Sequence, residues 1–289
     1  MSTISRRDFL AGVSALGAAA WAGRFAVAAP SAAKITKASD VVTLGKTGIQ
    51  TSVLGLGTGT FGGNQQLGMG QEGFTRLVRH ALDRGLRYID TADMYQMHTF
   101  VRLALQGVPR DRYFIQTKTT AKNAEVAKAD IERFRRELRL ETLDTLLMHC
   151  MTTKTWPTDM RPVMDVLQGA KQKGRVRAVG ISCHGWDPLA TSVDCDWIDV
   201  QLVRINPFGH LMDGKPEEVA AQIQKMHQKG RGVLGMKIFG EGKCKTPEER
   251  MQSLKFVLGL GAVDAFTIGF TSTDQLDETM DMIEKVLAA

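Results

Sequence analysis

From residue 53 onward the chain alternates eight times between a short apolar run and an amphipathic stretch of helical period. The runs read as strands at 53–58, 87–90, 113–118, 145–149, 176–182, 198–204, 232–238 and 265–269. The helical stretches lie near 73–85, 97–106, 123–139, 160–173, 187–193, 216–229, 247–259 and 273–288. Many of these stop at glycine, as in Gln172-Lys173-Gly174 and Gln228-Lys229-Gly230, where glycine takes the left-handed cap conformation. Eight such units in about 240 residues are what a closed (β/α)8 barrel needs, and chemistry in such barrels sits at the C-terminal strand ends. An open doubly wound sheet is the alternative, but it more often uses fewer strands. Two short runs flank Gly45-Lys46-Thr47-Gly48 just ahead of the first unit and predict a β-hairpin.

Hydrophobic residues at 43% and charged residues at 24% of the 289 exclude disordered, collagen-like and disulfide-scaffold classes. The net charge of +6 is a mild excess spread along the chain, read as solvated surface with no nucleic-acid partner. Part of it comes from the first 30 residues, where Arg6, Arg7 and Arg24 face only Asp8. There Arg6-Arg7-Asp8-Phe9-Leu10 precedes a weakly apolar Gly/Ala run and the small residues Ala26-Val27-Ala28, the layout of a cleaved export signal. The paired arginines resemble the bacterial twin-arginine signal, an address read by the export machinery and not an anchor. The expected organisation is a signal peptide over 1–30, a linker over 31–40 and a barrel over 41–289. The mature protein is expected in the periplasm, with no stable membrane anchor. Cys150, Cys183, Cys195 and Cys244 form no C-x-x-C pair, so no metal site is expected. Free, buried thiols are favoured over a disulfide, with Cys150–Cys183 the one bridge that in/out alternation suggests.

The strand ends carry the chemistry. The second strand ends at Asp90 and is followed by Tyr95, the third ends at Lys118 and the fourth at His149. Each has a bland reading alone, but together they suit protonation of a carbonyl oxygen. A free phenol has a pKa near 10, too high for a good acid at neutral pH. A neighbouring ammonium is expected to lower it, with a carboxylate holding that ammonium in place and a neutral imidazole orienting the carbonyl.

The run L-G-L-G-T-G-T-F-G-G, the stretch Y-I-D-T-A-D-M-Y, Lys118 and His149 resemble the aldo-keto reductase superfamily from about residue 41 onward. The resemblance implies a nicotinamide-dependent barrel reducing an aldehyde or ketone, with Asp90, Tyr95, Lys118 and His149 as its tetrad and Tyr95 as general acid. It also implies a cofactor lined by Thr58, Gly59, Ser182, Gln201, Lys237, Phe239, Gly240, Gly269, Thr271, Gln275 and Glu278. Cys183 replaces an asparagine that usually holds the carboxamide beside Ser182, and Ile205 stands where a stacking tyrosine is usual. Relatives that select NADPH strongly often carry Lys and Arg in this segment, whereas Phe270 and Gln275 supply no charge for a 2′-phosphate, so the expected preference for NADPH is modest and NADH is possible.

Gly57-Thr58-Gly59-Thr60-Phe61-Gly62 spells G-x-G-x-x-G, but residues 63–68 read as continuing loop and not as the helix a dinucleotide fingerprint needs. Residues 151–158 read as a short connection with Trp156 as a pocket wall. Lys237 faces either a phosphate or solvent, and His184, Trp186 and Arg204 either line the pocket or pack. A cofactor-holding barrel with little turnover, acting as sensor or partner subunit, is the second functional reading. It is prompted by the altered Cys183 and Ile205 positions.

Overall fold

The computed structural model describes residues 35–289. The signal peptide and the first four residues of the linker expected at the N-terminus lie outside the described residues. Eight parallel strands close a barrel: β3 (Leu54–Gly57), β4 (Tyr88–Asp90), β5 (Phe114–Thr119), β6 (Leu143–Met151), β7 (Val176–Cys183), β8 (Val200–Arg204), β9 (Gly232–Met236) and β10 (Ala265–Ile268). The ring shuts where β10 pairs with β3, Phe266 opposite Leu54. Every helix read from the periodicity is present, from Gly70–Asp83 to Thr273–Ala288. Among the described residues no helix is long and apolar enough to cross a membrane.

Two apolar layers follow from the period-two alternation of the strands. Leu147, Val200, Leu202 and Leu234 point into the barrel and pack around Tyr88 and Phe114. Their neighbours Leu146, Met148, Val203 and Val233 point outward into the helix layer.

The expected hairpin is β1 (Val41–Thr43) against β2 (Gln50–Ser52), antiparallel. It contributes Leu44 and Ile49 to the barrel interior, both buried, and so seals the end opposite the C-terminal strand ends. Backbone groups fasten it: Lys46 N donates to Gly230 O at 2.8 Å, and Gly45 N donates to Asp264 Oδ2 at 3.2 Å. That same carboxylate oxygen accepts from Val233 N at 2.8 Å.

Residues 63–68, read as loop, instead form one helical turn, Asn64–Leu67, after a 3-10 turn at Thr60–Gly63. The left-handed backbone at Phe61, Gly62 and Gly63 turns the chain before the helix starts, and Gln66 is buried beneath it.

Gly180 shows how tightly the strands approach. A Cβ there would sit 1.7 Å from Val200 O and 3.1 Å from Leu147 Cδ2. Because the first neighbour is strand backbone, Gly180→Ala is expected to destabilise the barrel by about 1–3 kcal/mol. Urea unfolding followed by circular dichroism checks this through a lower midpoint at unchanged slope.

Candidate active site

Among the described residues Lys118 is the largest charged side chain that is wholly buried. Its Nζ donates to Asp90 Oδ1 at 2.7 Å and to Thr91 O at 2.9 Å. Gln116, one inward position earlier on β5, donates to the same Asp90 oxygen at 2.8 Å and to Tyr88 Oη at 2.9 Å. Burial acts to depress the Lys118 pKa, but the charge of Asp90 and the nearby Tyr95 outweigh it and hold it above the ordinary value. The ammonium is therefore a fixed positive charge at the mouth.

Tyr95 closes a 3-10 turn, Asp93–Tyr95, directly after β4. The Lys118 ammonium lies 4.9 Å from its ring centroid. Burial raises the phenol pKa, and Lys118 opposes that shift without cancelling it. The expectation of a lowered value is corrected here: a half-buried phenol beside both a cation and the Asp90 carboxylate keeps its proton.

His149 stands at an irregularity of β6, where the register against β7 slips between Met148 and Met151 and Cys150 adopts φ +63°. Such bulges re-aim a side chain. Here Nε2 comes 3.5 Å from Tyr95 Oη, the two rings perpendicular with centroids 5.6 Å apart. Burial, with Lys118 and His184 nearby, pushes the His149 pKa down to about 3, so the imidazole is neutral at physiological pH. Ser182 Oγ accepts the Cys150 N–H at 2.9 Å and props the bulge.

A cleft enclosing about 1070 Å³, part of it open to solvent, lies beside this cluster. Asp90, Tyr95 and Gly59 line one end, Met236, Phe239 and Gly269 line its course, and Gln275, Thr279 and Arg250 line the other end. Gly59 is there by necessity, since a Cβ would fall 2.4 Å from the Tyr95 ring. Of the residues read from the sequence, Gly59, Lys237, Phe239, Gly269 and Gln275 line the cavity. Thr58 is fully buried and leaves its hydroxyl without a partner, while its N–H donates to Asp90 O. Gly240 has φ +57° and packs against His210. Thr271 and Gln275 pair with each other at 2.9 and 3.0 Å, and Glu278 lies exposed 3.7 Å from Arg250.

Several expected placements differ. Gln201 follows inward Val200, so it faces the helix layer, where Nε2 meets the buried Cys183 Sγ at 3.5 Å. Ile205 likewise packs in the outer layer, and the residue that reaches the cavity from the neighbouring strand is Met236. Trp156 is buried in the outer layer, opening a helix and donating to Pro188 O, and does not line this cavity. Lys237, partly exposed on the cavity wall, pairs with Glu241 at 2.5 Å, which also accepts the Phe61 N–H at 3.0 Å across the mouth. Arg204 pairs with the buried Asp213. All four cysteines are free.

The sequence reading missed Met236, Glu241, Gln66 and Arg250. Gln66 accepts from Thr60 N at 3.3 Å and donates to Phe270 O at 3.4 Å, joining both sides of the cavity rim. The strand parity at Leu234 was the available signal for Met236.

This geometry agrees with what the chain is similar to. It is 27% identical over 170 residues to the aldo-keto reductase YhdN of Bacillus subtilis, covering 53% of this chain and 49% of that protein. It is 28% identical over 184 residues to the methylglyoxal reductase DkgB of Salmonella typhimurium, covering 52% of this chain and 67% of that protein. The match thus spans about half the length of YhdN. An aldo-keto reductase from Bacillus halodurans, solved in its holo form, superposes with a TM-score of 0.70 at 19% identity, over 86% of this chain and 95% of that one. The sequence profile of the aldo/keto reductase family matches residues 53–257, and the chain belongs to that family.

Proposed function

We propose that this protein reduces a small aldehyde or ketone with a nicotinamide cofactor, NADPH in preference to NADH. The observation that carries the reading is the contact set of Asp90, Lys118, Tyr95 and His149 at one end of the cavity. Intact contacts throughout that set favour turnover over a barrel that only holds cofactor. Methylglyoxal reductases among the relatives point to carbonyl substrates of the same class.

The cavity suits an elongated dinucleotide. Gly269 leaves room that a Cβ would lose to Thr60 Oγ1, and the buried Thr267 hydroxyl on the wall has no protein partner. When bound, the nicotinamide supplies the hydride. Gly59, Met236, Phe239 and Gly269 would flank it, and Gln275 and Arg250 would meet its far end.

Tyr95 delivers the proton to the carbonyl oxygen from Oη. Lys118 receives the phenolate that remains, its own charge secured by Asp90. The buried Nδ1 of His149 has no partner. A lone pair is less costly to leave unpaired than an N–H, so the proton of the neutral ring sits on Nε2, facing Tyr95 Oη and ready to hold the carbonyl. The segment Arg6-Arg7-Asp8-Phe9-Leu10 supports export by the twin-arginine machinery and a periplasmic site of action.

Tyr95→Phe is expected to lower kcat by about 10²–10⁴ with cofactor affinity unchanged, read by carbonyl-dependent loss of absorbance at the reduced nicotinamide. Equal activity of the two proteins would overturn the mechanism. Arg250→Met is expected to weaken NADPH about tenfold, roughly one charge-assisted hydrogen bond, and NADH far less; fluorescence titration with each cofactor checks it. His149 takes up a proton only near pH 3, so kcat should show no acid limb between pH 5 and 8. A limb in that window that vanishes in His149→Gln would contradict the neutral assignment.

A further inference from the structure

Behind the tetrad, on the helix side of the barrel, a single guanidinium gathers three carboxylates. Arg133, on the helix Ala124–Leu138, forks onto Asp93 with Nη1–Oδ1 at 2.7 Å and Nη2–Oδ2 at 2.8 Å. It also donates to Asp130 at 2.7 Å and to Glu137 at 3.2 Å, the last two on its own helix. Each carboxylate leads back to the site. Asp93 opens the 3-10 turn that ends at Tyr95. Asp130 accepts the Thr119 hydroxyl at 2.5 Å, and the other oxygen of Glu137 meets His98 Nδ1 at 2.7 Å. His98 Nε2 in turn meets Thr117 Oγ1 at 2.8 Å. Thr117 and Thr119 bracket Lys118 on the outward face of β5, so the lysine is held from behind on both sides.

We infer that Arg133 is a positioning residue: it ties the turn carrying Tyr95 and the strand end carrying Lys118 to one helix, and so fixes the phenol over the ammonium. This rests on the reductase reading given above.

From the mouth side Gly59 and Gly63 pack against Tyr95, but from the helix side the Arg133 fork holds the turn. Its backbone bonds are local, Tyr95 N to Ala92 O and Gln96 N to Asp93 O, both 3.1 Å, and it leaves through Gln96 at φ +55°. Met94 between them is exposed. An ordinary exposed ion pair adds little, but a bidentate fork fixes direction as well as distance. The guanidinium also lies 4.7 Å over the Phe134 ring, which restricts its own plane. A point charge in its place satisfies the Coulomb attraction and loses the fork.

The test uses the full-length chain labelled with [13Cζ]tyrosine. The three tyrosines give three lines, Tyr95 being assigned as the one lost in Tyr95→Phe. Besides Lys118, the charged and titratable groups facing Tyr95 are Asp90, Tyr88, His149 and Glu241, none of which the variants change. Arg133→Met is expected to shift or split the Tyr95 line and leave those of Tyr88 and Tyr113 in place. It should also lower kcat about tenfold or more, since a displacement of the order of 1 Å is costly in a positioned site, while cofactor Kd stays within about twofold. Arg133→Lys should recover only part of kcat. Should Arg133→Met fold poorly, Asp93→Asn removes the same fork while sparing the ties to Asp130 and Glu137, and is expected to act alike. An unmoved Tyr95 line, or kcat within about twofold of the parent, overturns the inference. If the parent turns over no carbonyl yet the Tyr95 line moves, the positioning stands and the reductase reading falls.

Discussion

A lysine ammonium with no exposure to water is the constraint around which this molecule is arranged. Isolated, it would lose its proton or unfold its surroundings; removing one partner from such a pair costs on the order of 3–5 kcal/mol. Lys118 is kept charged because Asp90 arrives from the adjacent strand at hydrogen-bond distance, with Gln116 holding that carboxylate from below and Thr91 O accepting a second hydrogen bond from the ammonium. Strand pairing between β4 and β5, Asp90 opposite Gln116, is what makes this possible. The charge is thus a product of barrel register, and the phenol and imidazole are set around it.

The architecture was legible from the sequence because each β/α unit repeats the same two periods, and eight repeats leave little freedom. The tetrad was legible for a related reason: strand ends face one mouth, and four chemically matched residues occupy three consecutive ends and the turn after one of them. Side chains sit differently from the family pattern where a motif was matched by order along the chain. Val200 points inward, so Gln201 cannot also do so, and Ile205 falls on the wrong side for the same reason. Counting inward positions along β9 from Leu234 leads to Met236 instead. Trp156 misled through size, since a large apolar ring after a strand is as readily swallowed by the helix layer as shown to a ligand. The direction of the Tyr95 shift was misjudged because burial, invisible in sequence, exceeds the effect of the lysine.

The rim of the cavity is assembled from segments far apart in the chain. Glu241 accepts from Phe61, and Gln66 bonds to both Thr60 and Phe270. Several rim residues, Phe61, Lys237 and Glu241 among them, hold left-handed backbone, conformations that cost about 1–3 kcal/mol each unless their surroundings enforce them. The floor beneath is rigid strand, whereas the rim depends on side-chain contacts that solvent can compete for.

The hairpin that plugs the barrel has one more implication. It is made early, yet its fastenings are Gly230 and Asp264, and the strand that shuts the ring, β10, pairs with β3 across more than two hundred residues. Contacts of such long sequence separation form late and slowly. A ribosome still synthesising the helix Pro247–Gly259 therefore carries an unsealed sheet with two bare edges and an unplugged floor. Closure must wait for nearly the whole chain to emerge, and until then the exposed edges are a liability that a folding helper, or speed, has to cover.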